Sequence, residues 1–140
     1  MAMSGPIMII DDDSDDQELL NEIFKELKVP NLTRFFDSCK HALDYLLTTI
    51  ETPLLIISDI NLPAMTGLEF CKKIMDDESL RVKNIPFVFL TTSNDQKVIA
   101  EAYEMSIEGF FVKPTSIGEL KNLMRMIIDY WTLSRRPCIK

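Results

Sequence analysis

Residues 7–13 read IMIIDDD, four apolar side chains followed directly by three carboxylates. The arrangement recurs along the chain, since a further apolar run ends at or just before each of Asp59, Thr91 and Lys113. Residues so far apart in sequence converge only if the runs lie side by side as parallel strands, with their carboxyl ends at one edge of a sheet. Ligands bind at that edge in open parallel α/β sheets. The pattern therefore predicts a site built from the ends of four strands.

Segments with helical spacing separate these apolar runs. Apolar residues recur every three or four positions in five stretches, at 19–27, 42–50, 68–75, 98–103 and 120–131. A more mixed run at 32–36 supplies a further strand, so that strand and helix alternate five times. This order predicts an α/β fold of the flavodoxin-like (βα)5 type, a doubly wound sandwich whose five-stranded parallel sheet has the strand order 2-1-3-4-5.

The size and charge of the chain limit its organisation and its partners. Its 140 residues suit one domain, which we expect to span residues 7–132 between an N-terminal extension at 1–6 and a C-terminal tail at 133–140. A net charge of -7 disfavours binding to the phosphate backbone of nucleic acid. No apolar run has the length of a membrane span or a signal peptide. We therefore expect a soluble cytoplasmic protein.

The loop that follows Asp59 contains Pro63 and Gly67. Proline and glycine mark turns because they restrict or widen the range of backbone angles. The sequence predicts that Gly67 supplies a backbone angle that other residues rarely adopt.

The acidic block at residues 11–16 allows more than one interpretation. Ser14 or Asp13 can cap the helix that follows, and the acids in its first turn complement the helix dipole. Capping leaves Asp11 and Asp12 unexplained, because adjacent carboxylates at the end of an apolar strand repel each other unless a proton or cation compensates. A hard divalent cation is the natural compensation.

An enzymatic alternative also starts from this block. Residues 8–14 resemble the opening motif of haloacid-dehalogenase-type phosphatases, with Asp11 as the nucleophile and Asp13 as the acid/base, and Lys113 resembles a later motif. That family needs a further acidic metal-binding pair after the lysine, and only isolated acids follow here. The alternative also leaves Asp59 without a role.

A second resemblance covers nearly the whole chain and accounts for all these positions. The chain resembles the receiver domain of bacterial two-component response regulators, in particular the single-domain chemotaxis-regulator-like or phytochrome-partner-like kind. The resemblance implies a stand-alone signalling domain that catalyses only its own phosphorylation and dephosphorylation. The strings that carry it are IIDDD at 9–13, ISDINLP at 57–63, FLTT at 89–92 and FFVKP at 110–114.

The resemblance assigns a role to each site residue. It implies that Asp59 accepts a phosphoryl group from a phosphohistidine, with Lys113 binding the transferring phosphate. It further implies that Mg²⁺ is bound by Asp11, Asp12, Asp59 and the backbone carbonyl of Asn61. The peptide bond that follows Lys113 is expected to be cis.

The resemblance also implies a conformational switch. The Thr91 hydroxyl would hydrogen-bond the phosphate, and Phe110 would turn from an exposed to a buried position. Expected partners are a histidine kinase or histidine phosphotransfer protein as donor and an unidentified downstream protein. A homodimer is possible through the face of the fourth predicted helix, the fifth strand and the fifth predicted helix.

Overall fold

The computed structural model describes residues 5–135, so most of the predicted C-terminal tail and N-terminal extension lies outside the described residues. The five strands are β1 (Ile7–Ile10), β2 (Thr33–Phe36), β3 (Leu55–Ser58), β4 (Phe87–Thr91) and β5 (Gly109–Val112). The helices are α1 (Ser14–Glu26), α2 (Cys39–Thr48), α3 (Gly67–Asp76), α4 (Glu78–Arg81), α5 (Gln96–Glu104) and α6 (Ile117–Leu133). Helix α4 is absent from the sequence prediction because four residues are too short to show a helical repeat.

All five strands are parallel and lie in the order β2-β1-β3-β4-β5, which confirms the predicted topology. Because the winding reverses between β1 and β3, a crevice opens beside the carboxyl ends of these two strands. Asp11 follows β1, Asp59 follows β3 and Lys113 follows β5. The topology therefore brings these three residues to the same edge of the sheet.

Both faces of the sheet are covered by helices. Helices α1 and α6 pack on one face, and α2, α3 and α5 pack on the other. Strands β1, β3 and β4 are buried along their whole length, which explains why their sequences lack the alternation typical of a half-exposed strand. Across residues 5–135 no helix is both long and apolar enough to cross a bilayer.

The first helix begins next to the site because of its cap. Asp13 is the N-cap of α1, and its carboxylate accepts hydrogen bonds from the amides of Asp15 at 2.9 Å and Asp16 at 3.4 Å. Of the two cap residues that the sequence allows, the structure uses Asp13, and Ser14 is the first helical residue. The cap keeps the first turn of α1 at the carboxyl ends of the strands.

Gly67 is needed for close packing rather than for an unusual backbone angle, so the prediction for this residue was wrong. None of the glycines at residues 5–135 has a positive φ, and in this loop Ala64 takes the left-handed conformation with a φ of 67°. A Cβ at Gly67 would lie 2.2 Å from the carbonyl oxygen of Asp59. The Gly67 amide donates to the Ile60 carbonyl at 2.9 Å. The absent side chain lets α3 begin directly against the backbone of Asp59.

The expectation of a cis peptide bond after Lys113 is also wrong. Residues 5–135 contain no cis peptide bond, so Lys113 and Pro114 are joined by a trans bond. Before proline the trans isomer is preferred by only about 1 kcal/mol, so the surrounding packing decides between the two isomers, and a sequence motif does not reveal that packing. The Lys113 amide still continues the pairing of β4 with β5 by donating to the Thr91 carbonyl at 2.8 Å.

Substituting Gly67→Ala should lower the free energy of unfolding by about 1–3 kcal/mol, because the added methyl group meets a backbone oxygen that cannot move away easily. Gly118→Ala is the matched control, since a Cβ there has open space and alanine favours a helix by up to about 1 kcal/mol. Urea unfolding followed by circular dichroism measures both. Equal stability of Gly67→Ala and the wild type would contradict the packing explanation.

Candidate functional site

The Lys113 ammonium group lies at the centre of the site. Its Nζ is 2.9 Å from Oδ2 of Asp16, 3.0 Å from Oδ2 of Asp11 and 3.6 Å from Oδ2 of Asp59. The contacts with Asp11 and Asp16 are hydrogen bonds, and the longer contact with Asp59 is an ion pair. Residues from the first turn of α1 and from just after β1, β3 and β5 therefore meet around a single nitrogen atom.

These contacts fix the charge state of the lysine. Burial, with 15% of the side chain exposed, would lower the pKa of Lys113. Hydrogen bonds to Asp16 and Asp11, together with the charges of Asp11 and Asp59, outweigh burial and raise the pKa above its ordinary value. The lysine is thus positively charged at neutral pH.

Asp11 is a buried carboxylate whose two oxygens both have partners. Oδ1 accepts the Asp13 amide at 2.9 Å, and Oδ2 accepts Lys113. Burial raises the pKa of Asp11, while the Asp13 amide and Lys113 oppose the rise. The negative charge of Asp16 adds to it. Ionised Asp11 is therefore destabilising in this site, and a further cation would relieve that cost.

The Asp59 carboxylate is restrained on one side and open to Lys113 on the other. Its Oδ1 accepts the Ile60 amide at 2.7 Å, and 14% of the side chain is exposed. The nearby Asn61 is exposed, and no backbone amide within residues 5–135 donates to its carbonyl oxygen. The site therefore offers a carboxylate oxygen and a backbone carbonyl whose bonding capacity is not fully used.

Asp12 differs from its neighbour because it points outward. Its side chain is exposed and has no hydrogen bond or ion pair with the rest of residues 5–135. The described residues contain no group of three His, Cys, Asp or Glu side chains arranged to hold a metal ion. Asp11 and Asp59 instead both contact the Lys113 ammonium group. Mg²⁺ needs only one or two protein carboxylates and keeps several waters, so the donor chemistry here suits it.

Thr91 and Phe110 lie beside the site on neighbouring strands. Thr91 is fully buried, and its hydroxyl accepts the Ser93 amide at 3.3 Å. Phe110 is half-buried, and its ring centroid is 6.0 Å from that of Phe89. In this structure Phe110 is thus already partly packed against the core.

Two residues of the site were not predicted from the sequence. The sequence indicates Asp16 only as an acid that complements the helix dipole, yet it makes the shortest contact with Lys113. Gln17 donates from Nε2 to the carbonyls of Asp11 at 2.6 Å and Phe36 at 3.3 Å, which ties α1 to the ends of β1 and β2. The signal was their position in the first turn of a helix that starts at this edge of the sheet.

The fold and the site define a flavodoxin-like α/β protein with carboxylates and a lysine at the carboxyl ends of its strands. Residues 7–125 match the profile of the response regulator receiver domain family. A curated relative, the probable methanogenesis regulatory protein FilR2 of Methanothrix harundinacea, is 30% identical over 129 residues, which are 89% of this chain and 82% of FilR2. The chain therefore belongs to the response regulator receiver domain family.

Further relatives agree with this assignment. The response regulator Rcp1 of Synechocystis is 26% identical over 130 residues, covering 89% of this chain and 87% of Rcp1. A crystal structure of the Mn²⁺-bound form of a response regulator Rcp1 superposes with a TM-score of 0.83 at 24% identity, covering 96% of this chain and 99% of that one. The phosphorylated cyanobacterial phytochrome response regulator RcpA gives a TM-score of 0.85 at 24% identity, covering 96% of this chain and 98% of that one. Both superpositions confirm the fold.

The family match supports the receiver interpretation and not the phosphatase alternative. The geometry agrees, because the proposed acid/base Asp13 uses its carboxylate to cap α1.

Asp11→Asn should stabilise the protein in buffer that contains a chelator. Asn keeps an oxygen for the Asp13 amide but removes the buried charge. Since the folded-state pKa of Asp11 is raised above its unfolded value, the wild type loses stability as the pH rises between these two values. The stability advantage of Asp11→Asn should therefore grow over that range and then level off.

Urea unfolding of both proteins at a series of pH values measures this difference. An Asp11→Asn variant that is less stable at neutral pH, or a difference that is independent of pH, would contradict the electrostatic description.

Proposed function

We propose that this chain is a phosphorylatable signalling switch in which Asp59 accepts a phosphoryl group from a phosphohistidine in a Mg²⁺-dependent reaction. The observation that carries the proposal is the approach of a fully charged Lys113 to both Asp59 and Asp11 at the carboxyl-end edge of the sheet. A carboxylate next to a fixed cation is suited to receive a negatively charged phosphoryl group.

In the proposed reaction, a carboxylate oxygen of Asp59 forms a bond to phosphorus while the bond between phosphorus and the imidazole nitrogen of the donor breaks. The product is an acyl phosphate, and the donor histidine keeps the electron pair of the broken bond. Lys113 binds the oxygens of the transferring group, where charge is spread in the transition state. Positioning and electrostatic stabilisation account for catalysis, and the domain is proposed to catalyse only its own phosphorylation and dephosphorylation.

The ligands proposed for Mg²⁺ are the carboxylates of Asp11, Asp12 and Asp59 and the backbone carbonyl of Asn61. When bound, the ion supplies positive charge that neutralises the phosphoryl oxygens. The support in this structure is the buried, destabilised charge of Asp11, the exposed Asp12, which has no side-chain partner among residues 5–135, and the carbonyl of Asn61, which accepts no backbone amide there. The Mn²⁺-bound form of Rcp1, a protein with the same fold, also supports a divalent-cation site here.

Thr91 and Phe110 are the proposed switch. A phosphoryl group on Asp59 would accept a hydrogen bond from the Thr91 hydroxyl. This bond would draw the loop after β4 inward. Phe110 would then complete its burial beside Phe89, from the half-buried position that it has here. The phosphoryl group must stabilise one of two conformations by a few kcal/mol, because equal interaction with both would shift nothing.

The proposed partners are a histidine kinase or a histidine phosphotransfer protein as donor, and a downstream protein that binds the switched surface. That surface, and a possible homodimer contact, would lie on α5, β5 and α6, where Tyr103, Val112 and Tyr130 are exposed. We infer a cytoplasmic location, consistent with the free thiols of Cys39 and Cys71.

Incubation with acetyl phosphate and Mg²⁺ should add a single phosphoryl group, detected by intact-mass measurement. Asp59→Asn should abolish the addition, because the amide is a poor nucleophile, and a chelator should abolish it in the wild type. Asp129→Asn is the matched control, since this exposed residue of α6 changes the net charge equally. Labelling that persists in Asp59→Asn would place the acceptor elsewhere.

Thr91→Val should separate phosphorylation from the switch. Valine preserves the shape of the buried side chain but has no hydroxyl to bind the phosphate, so labelling of Asp59 should continue. The change in the amide chemical shift of Phe110 on phosphorylation should be lost, as measured by ¹H–¹⁵N correlation spectra. A shift in Thr91→Val as large as that in the wild type would contradict the role of this hydroxyl.

A further inference from the structure

The proposed function assigns no role to Asp16, although its carboxylate lies in the site. It is closer to Lys113 than Asp59 is, at 2.9 Å against 3.6 Å, and its contact is a hydrogen bond. It is also the most accessible of the three carboxylates around the ammonium group, with 40% of its side chain exposed. An acid that is neither the acceptor nor a proposed metal ligand thus makes the shortest contact with the lysine, at 2.9 Å against 3.0 Å for Asp11.

The position of Asp16 is fixed by the helix that carries it. Its amide is bound by the Asp13 cap, and the next residue, Gln17, is hydrogen-bonded to the ends of β1 and β2. The Asp16 carboxylate is therefore held within hydrogen-bond distance of Lys113. In the reaction proposed above, the same ammonium group must bind the oxygens of the transferring phosphoryl group.

We propose that Asp16 is a positioning residue that competes with the phosphoryl group for Lys113 and thereby slows the phosphorylation of Asp59. This inference rests on the proposed function. Two effects act in the same direction: the carboxylate retains the lysine by a charge-assisted hydrogen bond, and its negative charge repels an anionic phosphoryl donor near the site. A neutral amide at the same position weakens both effects while preserving the size of the side chain.

The experiment compares Asp16→Asn with Asp15→Asn. Asp15 is the matched control because it is exposed, lies on the same first turn of α1, carries the same charge, and its carboxylate makes no contact with Lys113 within residues 5–135. Asp16→Glu tests for rescue, since it keeps the negative charge near the lysine. The initial rate of labelling is measured by intact mass over a series of acetyl phosphate concentrations at constant Mg²⁺, after urea unfolding has verified that each variant is folded.

Asp16→Asn should raise the rate at low donor concentration by about threefold relative to Asp15→Asn, the size expected for a partly exposed ion pair. The half-saturating concentration of acetyl phosphate should also be lower in Asp16→Asn, which a purely structural role of Asp16 would not produce. Asp16→Glu should return the rate toward that of the wild type.

Equal rates in Asp16→Asn and Asp15→Asn would overturn the inference and leave the proposed function intact. A slower Asp16→Asn would also overturn it, since Asp16 would then assist Lys113 rather than compete for it. Absence of labelling in the wild type would instead contradict the proposed function, and the inference with it.

Discussion

The Lys113 ammonium group compensates part of the negative charge at the carboxyl-end edge of this sheet. Asp11, Asp16 and Asp59 come from three different elements, and their mutual repulsion would separate them if Lys113 did not lie among them. The lysine in turn depends on β5 pairing with β4, which continues through the hydrogen bond from the Lys113 amide to the Thr91 carbonyl. The electrostatics of the site therefore depend on the topology of the sheet, and the two act as one constraint.

This constraint explains why the site is suited to both a cation and an anion. Burial makes the ionised form of Asp11 costly, and Lys113 relieves only part of that cost. A bound cation would relieve the remainder, and it would also release some of the hold that the carboxylates have on Lys113. The freed lysine could then bind phosphoryl oxygens. On this account the carboxylates and the lysine have different binding partners in the resting and reacting states, as a switch requires.

The sequence predicts the parts of this arrangement that follow from the ends of strands. Buried parallel strands show continuous apolar runs, so the residues that end them, such as Asp11 and Lys113, can be recognised and placed at one edge. The contact of Asp16 could not be predicted in this way, because it depends on the direction in which the first turn of α1 leaves β1. The outward direction of Asp12 depends on the same local geometry.

Gly67 shows a second limit of prediction from the sequence. A glycine in a loop indicates that a side chain cannot be accommodated at that position. The sequence alone does not tell whether the cause is a backbone angle or a close neighbour. Here the cause is the carbonyl oxygen of Asp59, and the left-handed angle of the loop falls on Ala64 instead. Contacts between residues brought together by the fold are visible only once the fold is known.

Asp11, Asp12 and Asp59 are proposed to form one divalent-cation site beside Lys113. Titration of the ¹⁵N-labelled protein with Mn²⁺ tests it directly, because the paramagnetic ion broadens the amide signals of residues near it. The account predicts broadening centred on residues 11–13, 59–61 and 113, reversed by excess Mg²⁺. Broadening centred on any other part of the chain, or none at concentrations where Mg²⁺ supports labelling, would contradict it.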